Sequence, residues 1–252
     1  MAIGIFGLLA VSAFSPQALA LDDAVLSSSP NRLARQAATA APTVGADLVA
    51  APRPRRANFL QESASRDARH VADWVVDSGD SRGMPFAIID KADAKVFAFD
   101  ADGRLRGAAA ALLGLARGDD TVPGIGERKL SSIRPDERTT PAGRFVAALG
   151  RNMHGEDVLW VDYESALSLH RVITGNPKDH RAQRLATPTP LDNRISFGCI
   201  NVPKEFYESV VSKIFAGTNG IVYILPETRS PGKVFASYDA YERARLQAES
   251  LR

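Results

Sequence analysis

Residues 85–114 read PFAIIDKADAKVFAFDADGRLRGAAAALLG. Two short apolar runs flank an Asp102-Gly103 turn signal, the pattern of paired strands. Val96, Phe97 and Phe99 are β-branched or aromatic residues that favour a pleated, packed surface over a helix. Downstream, residues 118–145 are rich in Gly and Pro and read as loop. FVAALG (145–150) and VLWVDYESALSLHRV (158–172) then return to strand character across a polar turn, RNMHGED (151–157). PKEFYESVVSKIFAG (203–217) reads as a helix. Pro203 suits the first helical position, Gly217 suits the stop, and Phe206, Val210 and Ile214 recur every four residues on one face. GIVYILPE (220–227) is a last strand, and SYDAYERARLQAESLR (237–252) has helix-forming composition with Ser237 as a candidate N-cap. Strands do not alternate with helices, which argues against a doubly wound α/β fold. The expected fold is mostly β with one internal α-helix, a sandwich or barrel-like sheet over residues 75–228, with a C-terminal helical tail at 229–252.

The N-terminal part differs. Ile3 to Phe14 is an apolar run too short to span a bilayer and of the length of a signal-peptide core, and Ala18-Leu19-Ala20 fits a small-x-small cleavage site. No Lys or Arg precedes it. Residues 1–20 are therefore expected to be a signal peptide and the protein to be exported to the periplasm or cell envelope. Residues 21–74, rich in Ala, Ser, Pro and Arg, are expected to form a low-complexity, flexible arm.

The 252 residues carry a net charge of only +2, so the broad basic field of a nucleic-acid binder is absent. Gly124-Ile125-Gly126 is a lone G-x-G without a leading strand or following helix, and nucleotide binding is not expected. Four histidines (70, 154, 170, 180) and one cysteine do not make a metal-ligand pattern, and no cofactor is expected.

The single cysteine lies in RISFGCINVP (194–203). Structural cysteines in oxidising compartments come in pairs, so an odd one points to a reactive thiol, with a small buried hydrophobe as the alternative. A thiol nucleophile needs a base. All four histidines precede Cys199, an order opposite to that of papain-like peptidases. His170 ends a strand-like run, which is a rigid mount for a catalytic group. Gly198 lets the backbone come close to a substrate carbonyl, and the N–H groups of Gly198 and Cys199 are candidate oxyanion donors.

These residues resemble the catalytic domain of the L,D-transpeptidase family (YkuD-type). Its signature is an upstream histidine followed by Ser-His-Gly-Cys-[Ile/Val/Leu]-[Arg/Asn], here His170 and then Ser196-Phe197-Gly198-Cys199-Ile200-Asn201. TTPAGRF (139–145) resembles the family's Thr-Pro-x-Gly-x-Phe stretch, and the match spans roughly 86–226. The resemblance implies Cys199 as nucleophile, His170 as general base and acid, and Gly198 in the oxyanion turn. It also implies peptidoglycan stem peptides as partners, thioester chemistry releasing D-alanine, 3→3 cross-links as products, and acylation of Cys199 by carbapenem-type β-lactams. Ser196, Phe197, Asn201, Arg194 and Arg171 are the candidate substrate-binding or supporting residues. Phe197 replaces the signature's second histidine, Asn201 stands where arginine is commoner, and the interval of 29 positions from His170 to Cys199 is longer than is common. The extra segment is a candidate lid whose arginines would meet substrate carboxylates. A backbone carbonyl is a candidate third member of the triad. Two other outcomes stay open: a catalytically inactive wall-binding protein, and an L,D-carboxypeptidase in which water replaces the amine acceptor.

Overall fold

The computed structural model describes residues 53–250; the expected signal peptide, and the arm as far as residue 52, lie outside the described residues. Ten strands follow in order: β1 (Phe86–Asp90), β2 (Lys95–Phe99), β3 (Leu105–Ala110), β4 (Leu113–Gly114), β5 (Gly143–Arg151), β6 (Asp157–Asp162), β7 (Leu167–Arg171), β8 (Arg194–Ser196), β9 (Ile200–Val202) and β10 (Gly220–Ile224). The helices are α1 (Arg66–Ser78), α2 (Arg181–Ala186), α3 (204–214), α4 (Pro231–Phe235) and α5 (Ala240–Ser250). Among the described residues no helix is long and apolar enough to cross a membrane.

Eight strands make one sheet in the order β3-β2-β1-β10-β5-β6-β7-β9, and β4 pairs with β8. The sheet is nearly closed. Leu112, just past edge strand β3, exchanges backbone hydrogen bonds of 2.8 and 2.9 Å with Asn201 on edge strand β9. The last strand in the sequence, β10, lies in the middle of the sheet, parallel to β1 and antiparallel to β5.

The unbroken apolar run of β1 has a direct cause: the sheet is covered on both faces there. Ala87 and Ile89 point into one core with Val96, Ala98, Val222 and the α3 residues Tyr207 and Val211. Phe86 and Ile88 point into the other, with Val71, Trp74 and Val75 of α1. α3 carries a π-helical stretch over Tyr207–Val211, and Phe206, Tyr207 and Val211 are buried.

Two expectations are corrected. The boundary drawn at 74/75 falls inside α1, which is capped by Ser65, whose side chain accepts from the Ala68 N–H, and ends at Gly79 with φ +70°. Ala68, Val71, Ala72 and Val75 recur at helical spacing and are fully buried, so the folded domain begins well before residue 75. Phe59 is packed too, edge-on against Phe97 and Phe99. In the tail, Phe235 of α4 packs with Trp74 and Tyr223. The cap of α5 is Asp239, which accepts from the N–H groups of Tyr241 and Glu242. Ser237 instead pairs with the His70 ring at 3.0 Å.

Candidate active site

The pairing of β7 with β9 assembles the site. They run parallel, with Leu169 opposite Ile200 and His170 opposite Asn201. Leu169 and Ile200 are fully buried in the core. Side chains alternate along a strand, so Ser168, His170 and Asn201 share the opposite face, with Cys199 immediately before β9. The Ser168 hydroxyl donates to the Cys199 Sγ at 3.6 Å. The thiol also lies 3.5 Å from the Ala166 carbonyl.

His170 Nδ1 lies 2.7 Å from the Arg171 carbonyl oxygen. A carbonyl only accepts, so Nδ1 carries the proton and Nε2 keeps its lone pair. Burial opposes ionisation of the Cys199 thiol. The hydrogen bond and charge of His170, with help from Ser168, outweigh it and hold the thiol below its ordinary value. Burial likewise works against the imidazolium, and the thiol partner overcomes it, so His170 lies above its ordinary value. Both shifts favour the thiolate–imidazolium pair, and the Arg171 carbonyl orients the imidazole.

The turn between β8 and β9 that carries Cys199 is held from several sides. Gly198 has φ +137°, and a Cβ there would lie 2.8 Å from the Thr139 carbonyl oxygen, so both backbone conformation and space call for glycine. Thr140, fully buried, donates to the Gly198 carbonyl at 2.7 Å and accepts from the Gly114 N–H at 2.8 Å. Ser196 Oγ donates to the Cys199 carbonyl at 2.6 Å and accepts from the Gly198 N–H at 3.1 Å. That last bond corrects an expectation: the Gly198 N–H is engaged by Ser196 and is not a free oxyanion donor. The Cys199 N–H has no hydrogen-bond partner among the described residues.

The other candidates separate. Phe197 lines the cleft beside Cys199, and the Arg138 guanidinium sits 4.0 Å from its ring centroid. Asn201 is buried behind the imidazole and is not a substrate-facing residue. Its Nδ2 donates to the Cys199 carbonyl at 3.1 Å and lies 3.4 Å from His170 Nε2. Arg194 is away from the cleft: it forms a buried ion pair with Glu227 at 2.7 Å and donates to the Lys91 carbonyl. The Arg171 side chain is occupied by Glu208 at 3.1 Å and the Asp157 carbonyl at 3.0 Å, and stacks on Tyr207.

In the insert between β7 and β9, Arg181 and Arg184 are engaged within the chain, where arginines available to substrate carboxylates were expected. Arg184 donates to the Asp179 and Asp192 carbonyls. Arg181 pairs with Asp179 at 2.9 Å and donates to Asn201 Oδ1 at 2.9 Å.

One cleft reaches Cys199 and another reaches His170. The first, of about 490 Å³, is lined by Arg128, Ser165, Ala166, Phe197 and Cys199. The other, of about 930 Å³, is lined by Arg151, Asp157, His170, Arg171 and Lys204. Among the described residues no group of three or more His, Cys, Asp or Glu side chains is arranged to hold a metal ion. Ser168 and Thr140 as a strut are not among the sequence candidates, and Arg181 is expected there only as one of the insert's lid arginines. The alternation in LSLHR, which sets Ser168 and His170 on one face, was the available signal for the first.

No family model matches the sequence, and no curated protein matches it. Solved structures do. A mutant form of the helical cell shape determining protein Pgp2 from Campylobacter jejuni is 14% identical, covering 75% of this chain and 63% of its own, with TM-score 0.39. An L,D-transpeptidase from Xylanimonas cellulosilytica is 14% identical over 56% of this chain and 60% of its own, with TM-score 0.34. One from Mycobacterium tuberculosis is 15% identical over 56% and 57%, with TM-score 0.34. This chain is thus similar to L,D-transpeptidase structures and spans less than two thirds of the length of each.

Proposed function

We propose that the protein is an exported, cysteine-dependent acyltransferase of the L,D-transpeptidase type that acts on peptidoglycan stem tetrapeptides. The observation that carries this reading is the shared strand face of Ser168, His170 and Cys199, with the Arg171 carbonyl fixing the tautomer in which Nε2 keeps the lone pair.

The chemistry follows from that arrangement. The Cys199 thiolate attacks the carbonyl between the third residue and the terminal D-alanine. Negative charge builds on the carbonyl oxygen, where the Cys199 N–H is the available backbone donor. The proton on His170 Nε2 passes to the leaving D-alanine amine as the C–N bond breaks, leaving a thioester and a neutral imidazole. An acceptor amine then attacks the thioester, His170 takes its proton, and the thiolate leaves. The cleft on the Cys199 side suits the donor stem. The larger cleft on the His170 side, which carries Arg171 and Lys204, suits an acceptor approaching the base. The same thiolate would be acylated by carbapenem-type β-lactams, and no step calls for a metal or organic cofactor.

The test is incubation of the protein and its Cys199→Ala variant with purified disaccharide-tetrapeptide, read by mass spectrometry. Cysteine-dependent dimers with loss of D-alanine support the transpeptidase. Tripeptide alone moves the reaction to a carboxypeptidase. No turnover by folded protein, with Cys199 also inert to carbapenem, sinks the enzymatic reading in favour of a wall-binding protein.

A further inference from the structure

The insert between β7 and β9 reaches the catalytic pair through one side chain. Arg181 opens α2 with its guanidinium turned inward, mostly buried. Asp179 holds its Nε at 2.9 Å, and its Nη1 donates to Asn201 Oδ1 at 2.9 Å. Arginine only donates, so the atom facing it must be the amide oxygen. The amide nitrogen is thereby turned to the opposite side, towards the Cys199 carbonyl at 3.1 Å and His170 Nε2 at 3.4 Å. Position 201 holds Asn where the signature more often holds Arg, and here a guanidinium is delivered to that strand position from a different part of the chain.

We infer that Arg181 is a positioning residue for the catalytic histidine: it clamps the Asn201 amide so that an N–H donor always faces His170 Nε2. This inference rests on the reading of His170 and Cys199 as the catalytic pair. The consequence is electrostatic. A donor locked against Nε2 accepts contact with the neutral imidazole and opposes a proton at that nitrogen, and the guanidinium charge behind the amide acts in the same direction. Both weaken the imidazole's hold on its proton, against the pull of the Cys199 thiolate. An imidazolium that holds its proton less tightly delivers it more readily to the leaving amine. The other charged groups near the ring are Asp179, which pairs with the guanidinium, and those lining the cleft that His170 reaches: Arg151, Glu156, Asp157, Arg171 and Lys204. Arg171 is paired with Glu208 there.

The experiment is an NMR titration of the His170 imidazole, its signal assigned by loss in His170→Gln. It compares the unaltered protein with Arg181→Met and Arg181→Gln. Arg181→Met is expected to raise the His170 midpoint by about half a pH unit or more, roughly threefold in proton affinity. Arg181→Gln, which removes the charge but keeps a donor on a shorter side chain, is expected to move it in the same direction by less. It also provides the readout if Arg181→Met does not fold. A midpoint that stays put or falls in the folded variants overturns the inference, since loss of packing alone would leave it in place. The titration needs no substrate. A raised midpoint with no tetrapeptide turnover would therefore sink the proposed function while leaving the control of His170 by Arg181 standing.

Discussion

The Thr140 hydroxyl donates to the Gly198 carbonyl at 2.7 Å, across 58 positions of sequence. This bond joins the TTPAGRF and SFGCIN blocks into one structure, because the same hydroxyl accepts from the Gly114 N–H. Thr140→Val keeps the shape and removes both bonds. Two buried backbone groups are then unpaired, at a cost of about 1–3 kcal/mol each. The expected result is a melting temperature lower by several degrees, at about 2–4 °C per kcal/mol for a domain of this size. Turnover should fall by more than the unfolded fraction explains, because the turn that carries Cys199 loses its strut. Calorimetry and an assay on the same samples separate the two, and a variant with normal turnover would remove Thr140 from the site.

The thiol and imidazole shifts fix a pH dependence. Cys199 lies below 9.0 because of His170 and Ser168, despite burial. His170 lies above 6.5 because of the thiol, despite burial. Both directions favour the thiolate–imidazolium pair over the neutral pair. Iodoacetamide should alkylate Cys199 at neutral pH. In His170→Ala the midpoint of that reaction should move up, because burial is then opposed by Ser168 alone. Identical profiles for the two proteins would mean that His170 does not control the thiol.

Arg194 and its neighbours carry a stability prediction. Lys91 and Asp119 pair at 2.9 Å with both side chains fully buried, and Arg194 and Glu227 complete the cluster. Asp119 also accepts from the N–H groups of Glu227, Thr228 and Arg229, which ties the segment after β10 to the loop after β4. Burial alone would raise the Asp119 pKa. The hydrogen bonds from Thr228, Glu227 and Lys91 overcome that and hold it well below 3.8. A carboxylate depressed in the folded state stabilises the fold above its unfolded value. That contribution drains as pH falls from about 3.8 through the lower folded value. Asp119→Asn should cost about 3–5 kcal/mol at neutral pH, because the buried Lys91 charge loses its nearest partner and keeps only Glu227 at 3.8 Å. Denaturant unfolding at neutral pH and at about pH 3 checks both: the gap between the two proteins should shrink in acid.

The Tyr207 hydroxyl is buried without a hydrogen-bond partner among the described residues, and burial pushes its pKa up to about 12. Its ring supports the Arg171 guanidinium at 4.3 Å. Tyr207→Phe keeps the ring and removes the unpaired hydroxyl, so it should leave stability unchanged or raise it by about 1 kcal/mol. A clear loss in thermal unfolding would show that the hydroxyl has a partner in solution.

Local pattern alone determined a good deal about this protein. The strands around β1, the hairpin turn at Asp102-Gly103 and the body of α3 are legible because each depends on neighbours in sequence; His170 and Cys199 are legible only as candidates, by residue type and motif. Other features depended on partners that only folding supplies. α1 was hidden because its apolar spacing begins at the end of an Ala-, Pro- and Arg-rich stretch, and its burial comes from Trp74, Val75 and the sheet meeting Phe235. Arg194 looked like a substrate residue from its place beside the cysteine motif, yet Glu227, 33 positions later, takes its charge into the interior. The Gly198 N–H looked free until Ser196 turned towards it. Arg181 and Asn201, 20 positions apart, meet because β7 and β9 pair in parallel and the insert must return to the strand edge where it began. Side-chain type and spacing decide which residues can ionise, donate or turn; register and chain return decide which of them face each other.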